Sequence, residues 1–198
     1  MKYNDFKKFM KKPMFSTREA QILAFQSSPE QVNLQLHQWA ERGELVHLCR
    51  GYYSFPDQIT DQTEIIKYLY PPAYMSLESA MHHYGFIPDV PFGLTLVTTR
   101  ITRHFQTPFG HFYYHRIHPK FFWGYDEKSS LGEKEKILLD YCYLNSARLE
   151  SEFKFWKEFR LQNLEGLNFQ KLTTSAKRFH SKKILQLAHS IQEYAKHD

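Results

Sequence analysis

Two helix-opening tetrapeptides, Ser16-Thr17-Arg18-Glu19 and Ser28-Pro29-Glu30-Gln31, stand close together near the start of the chain and leave little freedom for what lies between them. In each, a serine hydroxyl can accept from the amide three residues on, and the Glu or Gln found there can return a bond to the serine amide. Pro29 suits the first helical position, where a missing N–H costs nothing. The pattern predicts a short helix ending near Phe25 to Ser27, a tight turn and a second helix.

In that second helix Val32, Leu36, Trp39 and Ala40 share one side at helical spacing, and Gly43 sits where the chain must leave it. Steps of about 100° leave Gln31, Leu34, Gln35, Gln38 and Arg42 on or beside the opposite face, flanked by Asn33 and His37. Amide side chains pair with adenine, Arg pairs with guanine, and an exposed Leu34 suits a thymine methyl. Next, Leu45 to Leu48 and Tyr52 to Phe55 are strand-formers separated by Cys49-Arg50-Gly51, a turn in which Gly can take positive φ. Two helices and such a hairpin are the layout of a winged helix-turn-helix, with Arg50 at the wing tip and Tyr52 beside it facing phosphates. Lys7-Lys8 and Lys11-Lys12 bracket the end of an earlier helix whose Phe6, Phe9 and Met10 are expected to face inward, and Lys11 and Lys12 join the candidate DNA contacts.

The chain has 198 residues, more than one winged helix needs, so two domains are expected: 1–56 and a larger 57–198. Net charge is +5 and the isoelectric point about 9.0. Residues 1–56 carry eight Lys/Arg against five Asp/Glu, which tilts the surplus toward the candidate DNA-binding end. No apolar run approaches the roughly twenty residues of a membrane span. No leader-like segment precedes the first helix, and Cys49 and Cys142 lack CxxC spacing, so a reducing cytoplasm is the expected location.

The boundary is expected around Pro56 to Thr60, with Asp57 and Asp61 ahead of a helix through Ile65, Ile66 and Leu69 that Pro71-Pro72 stops. Ser76-Leu77-Glu78-Ser79 is expected to cap a helix that Gly85 closes. Thr95 to Thr99, Arg103 to Gln106 and His111 to Ile117, the last two joined by Thr107-Pro108-Phe109-Gly110, predict a small antiparallel sheet. From Gly132 the period becomes 3.6, with Ile137, Leu138, Tyr141, Cys142 and Leu144 marking one helix and further helices centred on 153–159, 169–179 and 182–194. The fold class is α+β: an N-terminal winged helix-turn-helix, then a larger α+β domain with a small antiparallel sheet and C-terminal helices.

The order of blocks carries a resemblance. Arg50-Gly51-Tyr52-Tyr53 is followed by Tyr74-Met75-Ser76-Leu77-Glu78-Ser79-Ala80 and Tyr84-Gly85-Phe86-Ile87-Pro88. Then come Val97-Thr98-Thr99, Phe105 to Gly110, Tyr113 to Ile117 and Glu135-Lys136-Ile137-Leu138-Leu139-Asp140. Collinear over most of the chain, this series resembles the AbiEi-type antitoxins of bacterial type IV toxin-antitoxin systems. Lys134 and Ile137 replace the proline and alanine of the family's last block, which bears on how that helix is entered. The resemblance implies a transcriptional repressor that binds double-stranded DNA at inverted repeats upstream of its own operon. It also implies a larger domain that assists repression and opposes a nucleotidyltransferase-like toxin without a stable complex.

Nothing in the residues demands catalysis, and no cofactor is expected. His111 and His115 have H-x-x-x-H spacing, but on a strand the rings would stand roughly 13 Å apart at about 3.3 Å per residue, too far to share a metal. Glu133, Glu135 and Lys136 lack a partnering Asp on a neighbouring strand, and carboxylates there suit a helix N-terminus. Asp140, in an apolar helix segment, is expected to anchor a hydrogen bond or an ion pair, with an arginine as the suggested partner. Arg100, Arg103, His104, Arg116, His118 and Lys120 cluster on the sheet hairpins as a possible second, phosphate-contacting basic surface, Arg116 and His118 sharing a face with Tyr114. Two other classes stay open: a protein-interaction module that binds a toxin or partner without DNA, and a nucleic-acid-processing enzyme.

Overall fold

In the computed structural model, which describes residues 2–58, 62–149, 151 and 153–197, the chain forms two compact units. The first comprises Met1–Pro71 with Phe105–Gly110, the second Pro72–His104 with His111–Asp198. The division falls at Pro71/Pro72 rather than at residue 56, because the helix after the hairpin packs back on the first strand. Residues 59–61, including Thr60 and Asp61 of the expected boundary, lie outside the described residues.

The first unit runs α1 (Tyr3–Phe9), β1 (Met14–Ser16), α2 (Thr17–Leu23), α3 (Pro29–Glu41), β2 (Val46–Cys49), β3 (Tyr52–Ser54) and α4 (Gln62–Leu69). Its antiparallel sheet has the order β1-β3-β2, with Phe15 opposite Tyr53. Both capping boxes are formed, at Ser16 with Glu19 and at Ser28 with Gln31. Gly43 at φ +73 lets the chain turn out of α3, and Gly51 at φ +82 makes the hairpin turn. Phe6, Phe15, Ala20, Val32, Leu36, Trp39 and Phe55 form one core, the Phe6 ring lying 5.2 Å from Phe15 and 5.1 Å from Trp39. Phe9 departs from expectation at 59% exposed. Three positions from Phe6 and one from Met10, it falls outside the narrow buried stripe of a two-turn helix.

The second unit is mixed α and β. Its strands are β4 (Ala73–Met75), β5 (Leu94–Thr98), β8 (Tyr125–Asp126), β9 (Leu131–Gly132) and the parts of β6 (Arg103–Thr107) and β7 (Gly110–Arg116) outside residues 105–110, in the sheet order β6-β7-β5-β4-β9-β8. Antiparallel pairs join β4 to β5 and β8 to β9. The sheet also holds parallel pairs, β5 with β7 and β4 with β9, so the chain steps past the place of β7 before returning to fill it. Alternation specifies faces but not partners, which is why residue pattern alone does not reveal these pairs. Helices α5 (Leu77–His83), α6 (Lys134–Asn145), α7 (Phe153–Glu158), α8 (Phe169–Lys177) and α9 (Lys182–Tyr194) surround a core that includes Ile137, Leu139, Trp156, Leu172 and Leu187.

Inside that core Asp140 is fully buried and ion-paired with Lys136 one turn away, also fully buried. It accepts from Tyr74 Oη at 2.7 Å and Ser76 Oγ at 2.9 Å, while Lys136 Nζ donates to Tyr74 Oη at 2.8 Å. The partner is thus a lysine of the same helix rather than an arginine; i, i+4 spacing brings them together without help from the rest of the fold. Ser76, expected to cap α5, turns its hydroxyl to Asp140 instead and makes no side-chain cap.

Candidate nucleic-acid interface

The outward face of α3 is built from its N-terminus. Gln31 Nε2 and Oε1 belong to an exposed side chain, but Oε1 accepts from Ser28 N at 3.2 Å and Gln31 N donates to Ser28 Oγ at 3.3 Å. Gln31 therefore holds the helix start, which leaves its NH₂ group and one lone pair of Oε1 for another partner. Asn33 is likewise engaged, its Oδ1 accepting from Gln21 Nε2 of α2 at 3.0 Å. Gln35 is half-buried, since it stands about 60° round the helix from Val32. Gln38 and Arg42 are exposed, Arg42 closing α3 as its C-cap. Leu34 is 57% exposed, an apolar side chain on an otherwise polar stripe. Beside them His37 and Glu41 form a 3.4 Å pair.

Arg50 is exposed at the hairpin turn, and Thr17 N donates to Gly51 O at 2.9 Å, tying that turn to the start of α2. Tyr52 is half-buried, its ring edge-on to Phe105 at 6.5 Å, which draws it away from the role of a free surface contact. Lys11 is exposed. Lys12 is paired with Glu19, the same carboxylate that accepts from Ser16 N at 2.8 Å. Burial pushes the Glu19 carboxyl up, but Lys12 and the Ser16 bonds outweigh it and hold it below the usual carboxylate range. The exposed stripe of α3 thus reduces to apolar Leu34 with polar Gln38 and Arg42, and Arg50 and Lys11 are exposed cations of the same unit.

In the second unit Arg100 follows β5, Arg103 opens β6, Arg116 ends β7 and Lys120 lies in a short 3-10 helix, Pro119–Phe121. Thr98 stands opposite Arg116, and Arg116 N donates to Thr102 Oγ1 at 3.1 Å, so all four exposed residues gather at one end of the sheet. Tyr114 is fully buried whereas Arg116, at the strand's end, is exposed. His118 is occupied locally, its Nδ1 accepting from Lys120 N at 3.3 Å.

The acidic cluster at the start of α6 comes apart. Glu135 accepts from Asn168 N at 2.9 Å and pairs with Lys171 at 3.2 Å, Glu133 pairs with Lys171 at 3.0 Å, and Lys136 is spent on Asp140. Among the described residues no group of three or more His, Cys, Asp or Glu is placed to hold a metal ion. None of the described helices is long and apolar enough to cross a membrane.

Two features escape a reading of residues in order. A cavity of about 530 Å³ in the first unit is lined by Phe9, Leu23 and Phe25, with Phe25 80% exposed. Ile22, 67% exposed, stands about 200° round α2 from the buried Ala20, a spacing that would have revealed it. The second is a contact between His104 and His111, visible only once the β6–β7 hairpin is closed.

No protein-family model matches the chain, and no curated protein matches it. Among solved structures it is similar to a crystal structure of the RV2827C protein from Mycobacterium tuberculosis, at 11% identity and a TM-score of 0.46, over 98% of this chain and 79% of that one.

Proposed function

We propose that the first unit is a winged helix-turn-helix and that the protein is a non-enzymatic, cytoplasmic, sequence-selective DNA-binding repressor, with α3 in the major groove and the Arg50 turn beside it. The observation that carries this reading is the stripe of Leu34, Gln38 and Arg42 on a helix whose other face is anchored by Val32, Leu36 and Trp39 and whose start is fixed by a complete capping box. Base edges require that combination of rigid backbone and unspent side chains. The test is an anisotropy titration against the DNA upstream of the gene and against a scrambled duplex at two salt concentrations. Selective binding that weakens with salt is expected, and Gln38→Ala and Arg42→Ala each cost about 1–3 kcal/mol on the selective duplex alone. Gln31 is a poor probe, because its removal disturbs the cap as well. Affinity unchanged by both substitutions refutes the assignment of α3.

The AbiEi resemblance supports a narrower role, the autoregulating antitoxin of a type IV system that recognises inverted repeats upstream of its own operon. In that role it counters a nucleotidyltransferase-like toxin without binding it stably. Co-expression with the neighbouring gene tests this: rescue of growth without co-purification is the expected result. The exposed Phe9, Ile22 and Phe25 favour a second reading, in which the first unit docks a protein. Partner binding that is insensitive to salt, with no DNA selectivity, would support that reading instead.

A further inference from the structure

In the second unit a cleft of about 370 Å³ opens between α5, the loop before β5 and the β7 strand, at the small end of ligand-sized cavities. Ile87, Phe92 and Tyr113 supply apolar walls, and Glu78, Thr95 and His115 polar ones. Its frame is fixed. Ser79 Oγ donates to Gly93 O at 3.2 Å and accepts from Thr95 N at 2.8 Å, which ties α5 to the loop and to β5. Gly93 lies so close to β7 that a Cβ there would come within 2.7 Å of His111 O and 2.9 Å of Tyr113 Cε2. The Tyr113 ring is held parallel to His104, 4.5 Å between centroids and 6° between planes.

Most polar groups of the cleft are spent. Thr95 Oγ1 donates to Ser76 O at 2.8 Å and accepts from Ser79 N at 2.9 Å. Asp89, also in the wall, pairs with Arg160 at 3.2 Å. Glu78 differs: it is half-buried, and among the described residues its carboxylate has no hydrogen bond and no ion pair. Burial holds the His115 imidazole below its ordinary value against the opposing pull of Glu78. At neutral pH that ring is therefore uncharged and leaves the carboxylate uncompensated.

We propose that this cleft binds a small organic cation, a guanidinium or primary ammonium on a short alkyl stem, with Glu78 as its counter-ion and Phe92 and Tyr113 against the stem and head. A half-buried carboxylate without a partner is costly, and a cation that brings its own hydrogen-bond donors satisfies it. The aromatic walls attract the same charge, because the ring quadrupole is negative over the face. Phe92 packs on His111 at 4.9 Å and, at 82% exposed, keeps its other face open to a ligand. Guanidinium ranks above ammonium, since it is more weakly hydrated and stacks on aromatic rings. The same residues exclude two other ligand classes. A nucleotide or other anion would meet Glu78 and Asp89 with like charge. A metal ion lacks ligands, because among the described residues no group of three or more His, Cys, Asp or Glu is placed to hold one. The cleft belongs to the second unit, so the proposal stands apart from the reading of α3.

The test is a titration of the full chain with n-butylguanidinium at neutral pH, followed residue by residue in proton–nitrogen correlation spectra, with n-butanol as the uncharged counterpart and butyrate as the anionic one. Saturable shifts at Glu78, Gly93, Tyr113 and His115 are expected with the cation, and both counterparts should bind about tenfold more weakly or worse. Glu78→Gln keeps the shape of the side chain and should weaken n-butylguanidinium by about tenfold or more, the loss of a charge-assisted pair. Phe92→Ala should weaken it by about two- to fivefold, as for a cation–π contact at an exposed place. Resonances away from the cleft should match the parent in both variants, which shows that the fold is intact. Equal affinity for n-butanol would reduce the cleft to an apolar patch and overturn the proposal. Cation binding that Glu78→Gln leaves unchanged, or no saturable shift with the cation, overturns it as well.

Discussion

Lys136 and Asp140 lie fully buried on one face of α6, with the ammonium 5.0 Å from the Trp123 ring centroid and 5.7 Å from that of Phe179. Burial pushes the Asp140 carboxyl up and the Lys136 ammonium down, and each partner opposes the other's shift. Gly124, at φ +73, passes so near that a Cβ would stand 3.1 Å from Lys136 Cγ. Removing one charge strands the other in an apolar core. Lys136→Met should therefore cost about 3–5 kcal/mol in urea unfolding, while Lys136→Met with Asp140→Leu recovers much of that loss, since a buried pair contributes little net stability over apolar residues of similar volume. A double variant no more stable than the single would show that the pair itself drives folding. Tyr74 and Ser76 also bond Asp140, so the carboxylate pins β4 and the entry of α5 to α6.

Two elements of similar design, α2 and α3, differ in how their caps respond to pH. Glu19 titrates and Gln31 does not. Because the folded Glu19 carboxyl sits below its ordinary value, its contribution is present above the unfolded carboxylate pKa of about 4.3 and is lost as pH falls through the lower folded value. Glu19→Gln should thus destabilise the first unit by up to about 1 kcal/mol at pH 7, with the gap narrowing as the pH falls below the ordinary carboxylate range, whereas Ser28→Ala should cost about 1 kcal/mol at both neutral and acid pH. Urea unfolding at the two pH values checks this, and a constant Glu19→Gln penalty would contradict it. These caps were legible in the sequence because every atom of a capping box lies within four residues. So were Gly43, Gly51 and the buried stripe of α3, each fixed by local geometry. β1, the parallel pairing of β5 with β7 and the bonds of Asp140 to Tyr74 and Ser76 were not, because each depends on residues far apart in the chain. The candidate contacts divide the same way: periodicity correctly set Gln38 and Arg42 outside, but could not show that Gln31, Asn33, Lys12 and Tyr52 are already engaged.

The first unit is discontinuous, since the tip of the β6–β7 hairpin, Phe105–Gly110, belongs to it although the rest of that hairpin does not. Phe105 is buried, its ring 5.5 Å from Tyr70 and 6.5 Å from Tyr52, and Gln62 Nε2 donates to Phe109 O at 3.0 Å. A fragment ending at Pro71 would lack these partners, so the first unit depends on chain that is made later. Phe105→Ala in the full chain should remove about 3 kcal/mol from the first unit, within the range for deleting a buried phenyl ring. Hydrogen exchange followed by mass spectrometry resolves the units separately. Faster exchange is expected in peptides covering α3 and β3, with α9 unchanged, because the lost packing is internal to the first unit. Equal acceleration in both units would mean that they unfold as one; no change in α3 and β3 would mean that the hairpin tip rests on the first unit without stabilising it.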